Sequence, residues 1–175
     1  MQSLITERLI IREFSLSDDE FILRLLNEET FLRYIGDKGV RSLDDARQYL
    51  SSGPLSSYEA HGFGLCHVAQ KSDGTPIGMC GLLRRDDQRH PDIGFAFLPE
   101  YQASGYAFES ARAMLAYGQK QMSLNNIVAF VNPDNERSIR LLTRLGMTFC
   151  GNIRLAGIDH DQNMYCARPG LEEIA

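Results

Sequence analysis

The stretch Asp92–Lys120, D-I-G-F-A-F-L-P-E-Y-Q-A-S-G-Y-A-F-E-S-A-R-A-M-L-A-Y-G-Q-K, decides how the rest of the chain is read. Ile93 to Leu98 is apolar or glycine throughout, the length of a buried strand and too short for a typical helix. Pro99 ends it, because proline has no N–H to give a sheet ladder. A turn follows, Gln102-Ala103-Ser104-Gly105-Tyr106-Ala107. From Phe108 the apolar residues Phe108, Ala111, Leu115 and Ala116 recur at helical spacing, with Met114 beside them. The order is strand, small-residue turn, helix. The first N–H groups of a helix have no intrahelical partner and sit at the positive end of its dipole. Small side chains at Ala103, Ser104, Gly105 and Ala107 let an anion reach that backbone, and phosphate or pyrophosphate is the natural guest. An ordinary connecting loop that binds nothing has the same outline.

Two other phosphate loops fit worse. A Walker A loop needs Gly-Lys followed by Ser or Thr, and Gly105 is followed by Tyr106. A dinucleotide fingerprint needs a third glycine where Gly62-Phe63-Gly64 runs on to His67.

The pattern Gln102-x-x-Gly105-x-Ala107 resembles the Q/R-x-x-G-x-G/A signature of the GNAT superfamily of N-acetyltransferases, whose loop holds the pyrophosphate of acetyl-CoA. Two more segments carry the resemblance. Thr6-Glu7-Arg8-Leu9-Ile10-Ile11-Arg12 is similar to the T-x-R-L-x-L-R opening of the RimJ/RimL-like branch of ribosomal-protein N-acetyltransferases. Asn132 to Met147, N-P-D-N-E-R-S-I-R-L-L-T-R-L-G-M, is similar to N-P-x-N-x-x-S-x-R-L-L-x-x-L-G-F. Together they span most of the chain from Leu4 to Gly151 in the family's order. The fold expected is α/β (α+β): one domain over residues 1–175, a central mixed, mostly antiparallel sheet flanked by helices.

The composition agrees with a folded domain of 175 residues, 43% hydrophobic and 23% charged. A net charge of −5 leaves no basic footprint for nucleic acid. The opening Met1–Arg8 lacks the charged start and long apolar middle of a secretion signal, and no apolar run approaches membrane-spanning length. Cys66, Cys80, Cys150 and Cys166 show no C-x-x-C spacing, so neither a metal site nor a redox motif is expected. Reduced core thiols and a cytoplasmic address are the expectation.

Along the chain, Leu4–Phe14 reads as one strand, and Ser15–Asp19 opens a helix carrying Phe21, Ile22, Leu25 and Leu26. A second helix is expected after Ser42, reaching about Ser51. Phe63–Gln70 and Pro76–Leu83 read as strands about the hairpin signal Asp73-Gly74. Asn126–Val131 reads as a strand and Ile139–Leu145 as a helix stopped by Gly146. Met147–Arg154 and Asn163–Ala167 read as two closing strands.

What the resemblance implies is acetyl transfer from acetyl-CoA, as co-substrate, to a primary amine by direct attack in a ternary complex. The acceptor implied is a protein N-terminus, a polyamine or another small-molecule amine, and a homodimer is expected. Backbone N–H groups around Phe97 and Leu98 would polarise the thioester, and Gln102, Ala103, Ser104, Gly105, Tyr106 and Ala107 would cradle the pyrophosphate. Asn135 matches a residue that contacts the pantetheine arm, and it also stands where a helix cap is favoured. Asp92 stands where relatives carry a base acting through water, and a capping or ion-paired carboxylate is the open alternative. His90, whose imidazole class titrates near 6.5, and Glu59 are the other candidate bases. Ser138 matches a serine placed to donate to the CoA sulfur; one helical turn on, where many relatives have tyrosine, stands Leu142. Ala103 and Ser104 replace the glycine and lysine common in that loop, and Ala103 fits if its backbone is not left-handed. A catalytically silent acyl-CoA-binding module is the rival reading.

Overall fold

The structure, a computed structural model, describes residues 3–167. The expected first strand is two: β1 (Leu4–Ile5) and β2 (Leu9–Glu13), antiparallel about a Thr6–Arg8 turn. The chain breaks there because Thr6 closes the turn, its N–H donating to Leu9 O and its hydroxyl accepting from Leu9 N, both at 3.0 Å. A single helical turn, Leu16–Asp18, leads into α1 (Asp19–Leu26). α2 (Glu29–Tyr34) follows where the sequence shows only a short apolar run, and then α3 (Leu43–Leu50). Ser42 caps α3 by accepting from Asp45 N, while Asp45 reaches back to Ser42 N. A widened turn, Ser51–Leu55, accommodates Pro54 and leads to α4 (Ser56–His61). The remaining elements are β3 (Leu65–Gln70), β4 (Pro76–Leu83), β5 (Asp92–Phe97), α5 (Tyr106–Gln121), β6 (Val128–Val131), α6 (Glu136–Arg144), β7 (Thr148–Ile153) and β8 (Gln162–Cys166).

All eight strands form one sheet in the order β1-β2-β3-β4-β5-β6-β8-β7. Every neighbouring pair is antiparallel except β5 and β6, so the sheet is mixed and mostly antiparallel as expected. One face buries Leu9, Ile11, Val68, Ile77 and Leu82 against Ala111, Met114 and Leu115 of α5. Gly118 lets α5 lie close: a Cβ there would stand 2.7 Å from Leu82 Cδ1. The other face buries Met79 and Leu98 against Ile22, Leu25, Leu26, Ala46 and Leu50 of α1 and α3. No helix among the described residues is long and apolar enough to cross a membrane.

The cysteines depart from expectation. Cys66 and Cys80 are buried free thiols, both pushed up to about 12 by burial. Cys150 and Cys166, however, are joined by a disulfide between β7 and β8. Phe149 pairs with Tyr165 and Gly151 with Met164, which leaves Cys150 as the extra residue of a bulge beside its partner.

Arg12 is bidentate to Asp18, Nη1 to Oδ2 at 2.8 Å and Nη2 to Oδ1 at 2.7 Å. Burial pushes the Asp18 carboxyl up, but the bonds from Arg12 and Ser15 outweigh it and hold it at about 2. His67 faces Arg12 across the β2–β3 ladder, between the edges of Phe14 and Phe21. It is 2% exposed, and neither ring nitrogen has a hydrogen-bond partner among the described residues. Burial, then repulsion from Arg12, pushes its pKa down to about 4. The unfolded chain takes up this proton near pH 6.5, before the folded chain does. The stability is therefore present above pH 6.5 and lost as pH falls toward 4, by about 3 kcal/mol for this group. Urea unfolding across that window should show His67→Leu losing less stability than the wild type. Equal slopes would assign the pH dependence to other groups.

Candidate active site

The site begins where β5 and β6 part. Their ladder has a single register pair, Asp92–Val128, reinforced by Val128 N donating to Pro91 O at 3.0 Å. Beyond it β5 runs on to Phe97 without a partner on that side. The β4–β5 register fixes what faces the gap. Leu98 N donates to Ile77 O at 2.9 Å, which makes Gly78–Phe97 a non-hydrogen-bonded pair and turns the Phe97 N–H away from β4. Of the two candidate donors, then, Leu98 is committed to the sheet and Phe97 faces the wedge.

At the end of the wedge, Gln102 acts as a strut between three elements. Its Nε2 donates to Phe97 O at 2.9 Å and to Thr30 Oγ1 of α2 at 3.3 Å, and its Oε1 accepts from Arg137 Nη1 of α6 at 2.8 Å. Ala103 and Gly105 both turn left-handed, φ +59° and +85°. The condition for an easy replacement of glycine by Ala103 is therefore not met, and this residue carries backbone strain. The first main-chain bond of α5 is Glu109 N to Gly105 O at 3.0 Å, which leaves the N–H groups of Tyr106, Ala107 and Phe108 for a guest. A Cβ on Gly105 would stand 3.2 Å from Arg8 Nη2, the movable end of a flexible side chain, so the cradle needs glycine for its φ of +85° rather than for space. Exposed backbone donors at the mouth of an open wedge fit a diphosphate-bearing arm such as that of acetyl-CoA.

The loop is braced from the N-terminal turn by Arg8, whose side chain is exposed yet engaged. Glu109 accepts from Thr6 Oγ1 at 2.6 Å, Arg8 N at 2.8 Å and Arg8 Nε at 2.7 Å. Arg8 Nη1 donates to Ser104 O at 3.0 Å, and the guanidinium lies 4.5 Å from the centre of the Tyr106 ring. Tyr106 OH accepts from Gln70 Nε2, so its side chain packs on the sheet and only its backbone faces the cradle. Burial works to raise the Glu109 carboxyl, but the bonds from Thr6 and Arg8 leave it below the usual range.

Across the wedge, Asn135 caps α6, its Oδ1 accepting from Ser138 N at 3.1 Å. Ser138 lies in the first turn, half-buried, and its hydroxyl has no partner among the described residues. Leu142, one turn on, is core. Asp92, at the start of β5, is 2% exposed. Alternation along β5 places it with Gly94 and Ala96 on the α1–α3 face, opposite α5. Arg85 holds it bidentately, Nε to Oδ1 at 2.9 Å and Nη2 to Oδ2 at 3.2 Å. Burial raises its pKa, and the opposing pull of Arg85 does not cancel the rise. His90 is half-buried in the β4–β5 loop, and Glu59 is exposed on α4. Arg85 was not singled out by sequence; its signal is a run of charge, Arg84–Arg89, that ends three residues before the strand. No group of His, Cys, Asp and Glu among the described residues is arranged to hold a metal ion.

Ala103→Gly should relieve the left-handed strain and raise stability by about 0.5–1 kcal/mol, net of the extra freedom of the unfolded chain. Thermal unfolding of the two proteins side by side checks this; an unchanged or lower melting temperature would mean that the turn relaxes around alanine at no cost.

A family model described as "Acetyltransferase (GNAT) domain" matches residues 8–148. The chain is 31% identical over 142 residues to the uncharacterized N-acetyltransferase YnaD of Bacillus subtilis (strain 168), covering 81% of this chain and 80% of that protein. A GNAT-family acetyltransferase from Bacillus anthracis superposes with a TM-score of 0.79 at 25% identity, over 95% of this chain and 98% of that one. RimL, a ribosomal L7/L12 alpha-N-protein acetyltransferase solved with coenzyme A, shares the fold at 18% identity, with a TM-score of 0.81 over 97% and 98% of the two chains. The wedge, the glycine cradle and these matches agree: the chain belongs to the GNAT acetyltransferase family and is an acetyl-CoA-dependent N-acetyltransferase.

Proposed function

We propose that the acceptor is the α-amino group of a protein, or a small-molecule amine of similar basicity. It enters on the α1–α3 face, with Asp92 as base and Ser138 beside the departing sulfur. The observation that carries this reading is the position of Asp92: a buried carboxylate on the strand whose far end turns the Phe97 N–H into the wedge. Acetyl-CoA supplies the activated acetyl group. Gln102 to Ala107 hold its diphosphate through the start of α5, and Asn135, at the opposite wall, contacts its pantetheine arm.

An attacking amine must first be neutral. At pH 7 this costs about 4.6 kcal/mol for a lysine-type ammonium of pKa about 10.4 and about 1.4 kcal/mol for an α-amino group of pKa about 8. The difference favours the α-amino group. The opening Thr6–Arg12, similar to that of the RimJ/RimL-like branch, supports the same choice. Asp92 takes the proton through a chain of waters, since the five residues to Phe97 span about 17 Å of strand. Its raised pKa makes it a stronger base than an exposed aspartate, and Arg85 leaves each oxygen a lone pair while fixing the carboxylate plane. The Phe97 N–H stabilises the charge that develops on the thioester oxygen, and the Ser138 hydroxyl donates toward the sulfur as it leaves. A cytoplasmic homodimer completes the reading.

One observation favours the silent acyl-CoA-binding module: both Asp92 oxygens are already engaged by Arg85. A panel of amines and peptides separates the two, because only the enzyme consumes acetyl-CoA. Asp92→Asn should lower kcat/KM about 10²-fold at neutral pH, with much of the loss recovered at higher pH. Arg85 lowers the Asp92 pKa, so Arg85→Leu should raise it further and move the acidic limb of the rate profile to higher pH. An unmoved limb in that variant would transfer the base to His90, Glu59 or water.

Ser138→Ala should reduce kcat about tenfold while acetyl-CoA affinity and melting temperature stay near wild type, because the α6 cap is Asn135 and not this hydroxyl. A lower melting temperature with unchanged kcat would make the hydroxyl structural.

A further inference from the structure

The disulfide between Cys150 and Cys166 takes no part in the reaction above, yet it sits on the same sheet face as Asp92. Cys166 is opposite Val128 of β6, and Val128 is in turn the residue in register with Asp92. Residues opposite each other share a face, so the disulfide stands two strands, about 10 Å, from the carboxylate. The bond also selects a register. The bulge sets Phe149 opposite Tyr165 and Gly151 opposite Met164, and the Cα atoms of Cys150 and Cys166 are 6.1 Å apart. Closing the bulge would put Cys150 opposite Met164 and diagonal to Cys166. Diagonal neighbours stand about 7–8 Å apart, beyond the reach of a disulfide. The bond therefore holds the bulged register and excludes the regular one. Apart from Asn152 Nδ2 donating to Asn163 Oδ1 at 2.8 Å, little else holds it. β7 carries no charged residue, none of its side chains is fully buried, and Gly151 takes φ +139° in the bulge.

We propose that Cys150–Cys166 is a thiol-exchange site that switches the β7–β8 register and, through it, the acceptor side of the active site, a role that rests on the reading of Asp92 as the base. β7 ends at Ile153, Leu155 is buried two residues on, and Ala156 N donates to Asp87 Oδ2 at 3.2 Å. Asp87 shares the β4–β5 loop with Arg85, which holds Asp92. Once the disulfide opens, a slip of one residue turns Gly151, Asn152 and Ile153 to the opposite faces and draws Leu155 and Ala156 away from that loop. A small thiol such as glutathione is the reductant. Its thiolate attacks the sulfur of Cys150, the more exposed of the pair. The S–S bond breaks and its electron pair leaves on Cys166, which takes a proton from water. A second thiolate attacks the glutathione sulfur of the mixed disulfide, releasing Cys150 as a thiolate and forming glutathione disulfide. The protein gains two electrons and the two small thiols lose them; glutathione disulfide drives the reverse. Cys66 and Cys80, buried and pushed up to about 12, stay out of the exchange.

The test equilibrates the wild type, Cys150→Ser and Asp87→Ala with glutathione or with glutathione disulfide. Acetylated peptide is measured by chromatography, free thiols by maleimide labelling and intact mass, and backbone hydrogen exchange by peptide mass. In the wild type, reduction should free two thiols and lower kcat/KM for the acceptor about fivefold or more, with the Kd of acetyl-CoA unchanged. Exchange over residues 152–156 and 84–91 should quicken in the same step. Cys150→Ser should show the reduced values in both buffers. Asp87→Ala should stay low in both although its disulfide still forms. The wild-type comparison needs no substitution, so it decides the matter even if a variant fails to fold. Equal exchange in the two buffers overturns the proposal, as does an acceptor kcat/KM that is equal in both or higher under reduction. A matching loss of acetyl-CoA affinity overturns it too, and a response that persists in Asp87→Ala overturns the route through the β4–β5 loop. Exchange that quickens as expected, with no acceptor acetylated in either buffer, upholds the register switch and overturns the reading of Asp92 instead.

Discussion

The parting of β5 from β6 after a single paired residue is the constraint on which the site depends. A closed ladder would satisfy the Phe97 N–H and C=O within the sheet and leave no opening. Because it opens, one polar edge of β5 needs other partners, and Gln102 supplies one by donating to Phe97 O. The same side chain bonds Thr30 and Arg137, so the elements on both sides of the gap are held at a set separation. An open edge in mid-sheet is costly unless it is used. Here its remaining donor, the Phe97 N–H, is the one the proposed reading gives to the thioester oxygen.

Glu109 transmits this arrangement to the chain terminus. An acid in the first turn of a helix normally complements the dipole. This one turns away from the cradle and gathers the Thr6 hydroxyl and two donors of Arg8. The positive end of the dipole is thereby left for a guest, and the carboxylate that would have competed with it is neutralised. Arg8, once fixed, holds the Ser104 carbonyl, and the loop keeps the shape in which its N–H groups converge. Charge-assisted hydrogen bonds are worth about 1.5–3 kcal/mol apiece when partly shielded and less when exposed, as Arg8 is, so the brace is best seen as geometric.

Much of this was legible in the sequence, and the rest was hidden for physical reasons. The strand–turn–helix order of Asp92–Lys120 could be read because apolar period and small-residue composition are local properties, and β5 and α5 form where that reading puts them. The split of Leu4–Phe14 was not legible: a threonine turn costs no proline or glycine, and its anchor, Glu109, lies a hundred residues away. The pairing of Cys150 with Cys166 depends on a bulge that shifts the β7–β8 register by one residue, and no spacing rule encodes that. Ala103 misled in the opposite sense. Alanine predicts a right-handed or extended backbone, and the loop imposes φ +59° on it regardless. The Arg12–Asp18 pair and His67, whose ring nitrogens have no hydrogen-bond partner among the described residues, were likewise invisible, since each is defined by what lies around it in the fold.

Asp92 shows how two opposed environments give one useful group. Burial raises its pKa and makes it basic, but an unpaired buried carboxylate is expensive and readily stays protonated near neutrality. Arg85 offsets that cost while lowering the basicity that burial produced. Its side chain, 39% exposed against 3% for Asp92, reaches in from the β4–β5 loop rather than from the core. The counter-charge is therefore supplied from a solvent-facing segment, where its field is partly screened. A fully buried arginine would bind the carboxylate more tightly and leave a weaker base. Placing the partner at the surface lets one carboxylate remain ionised in an apolar site and still accept a proton.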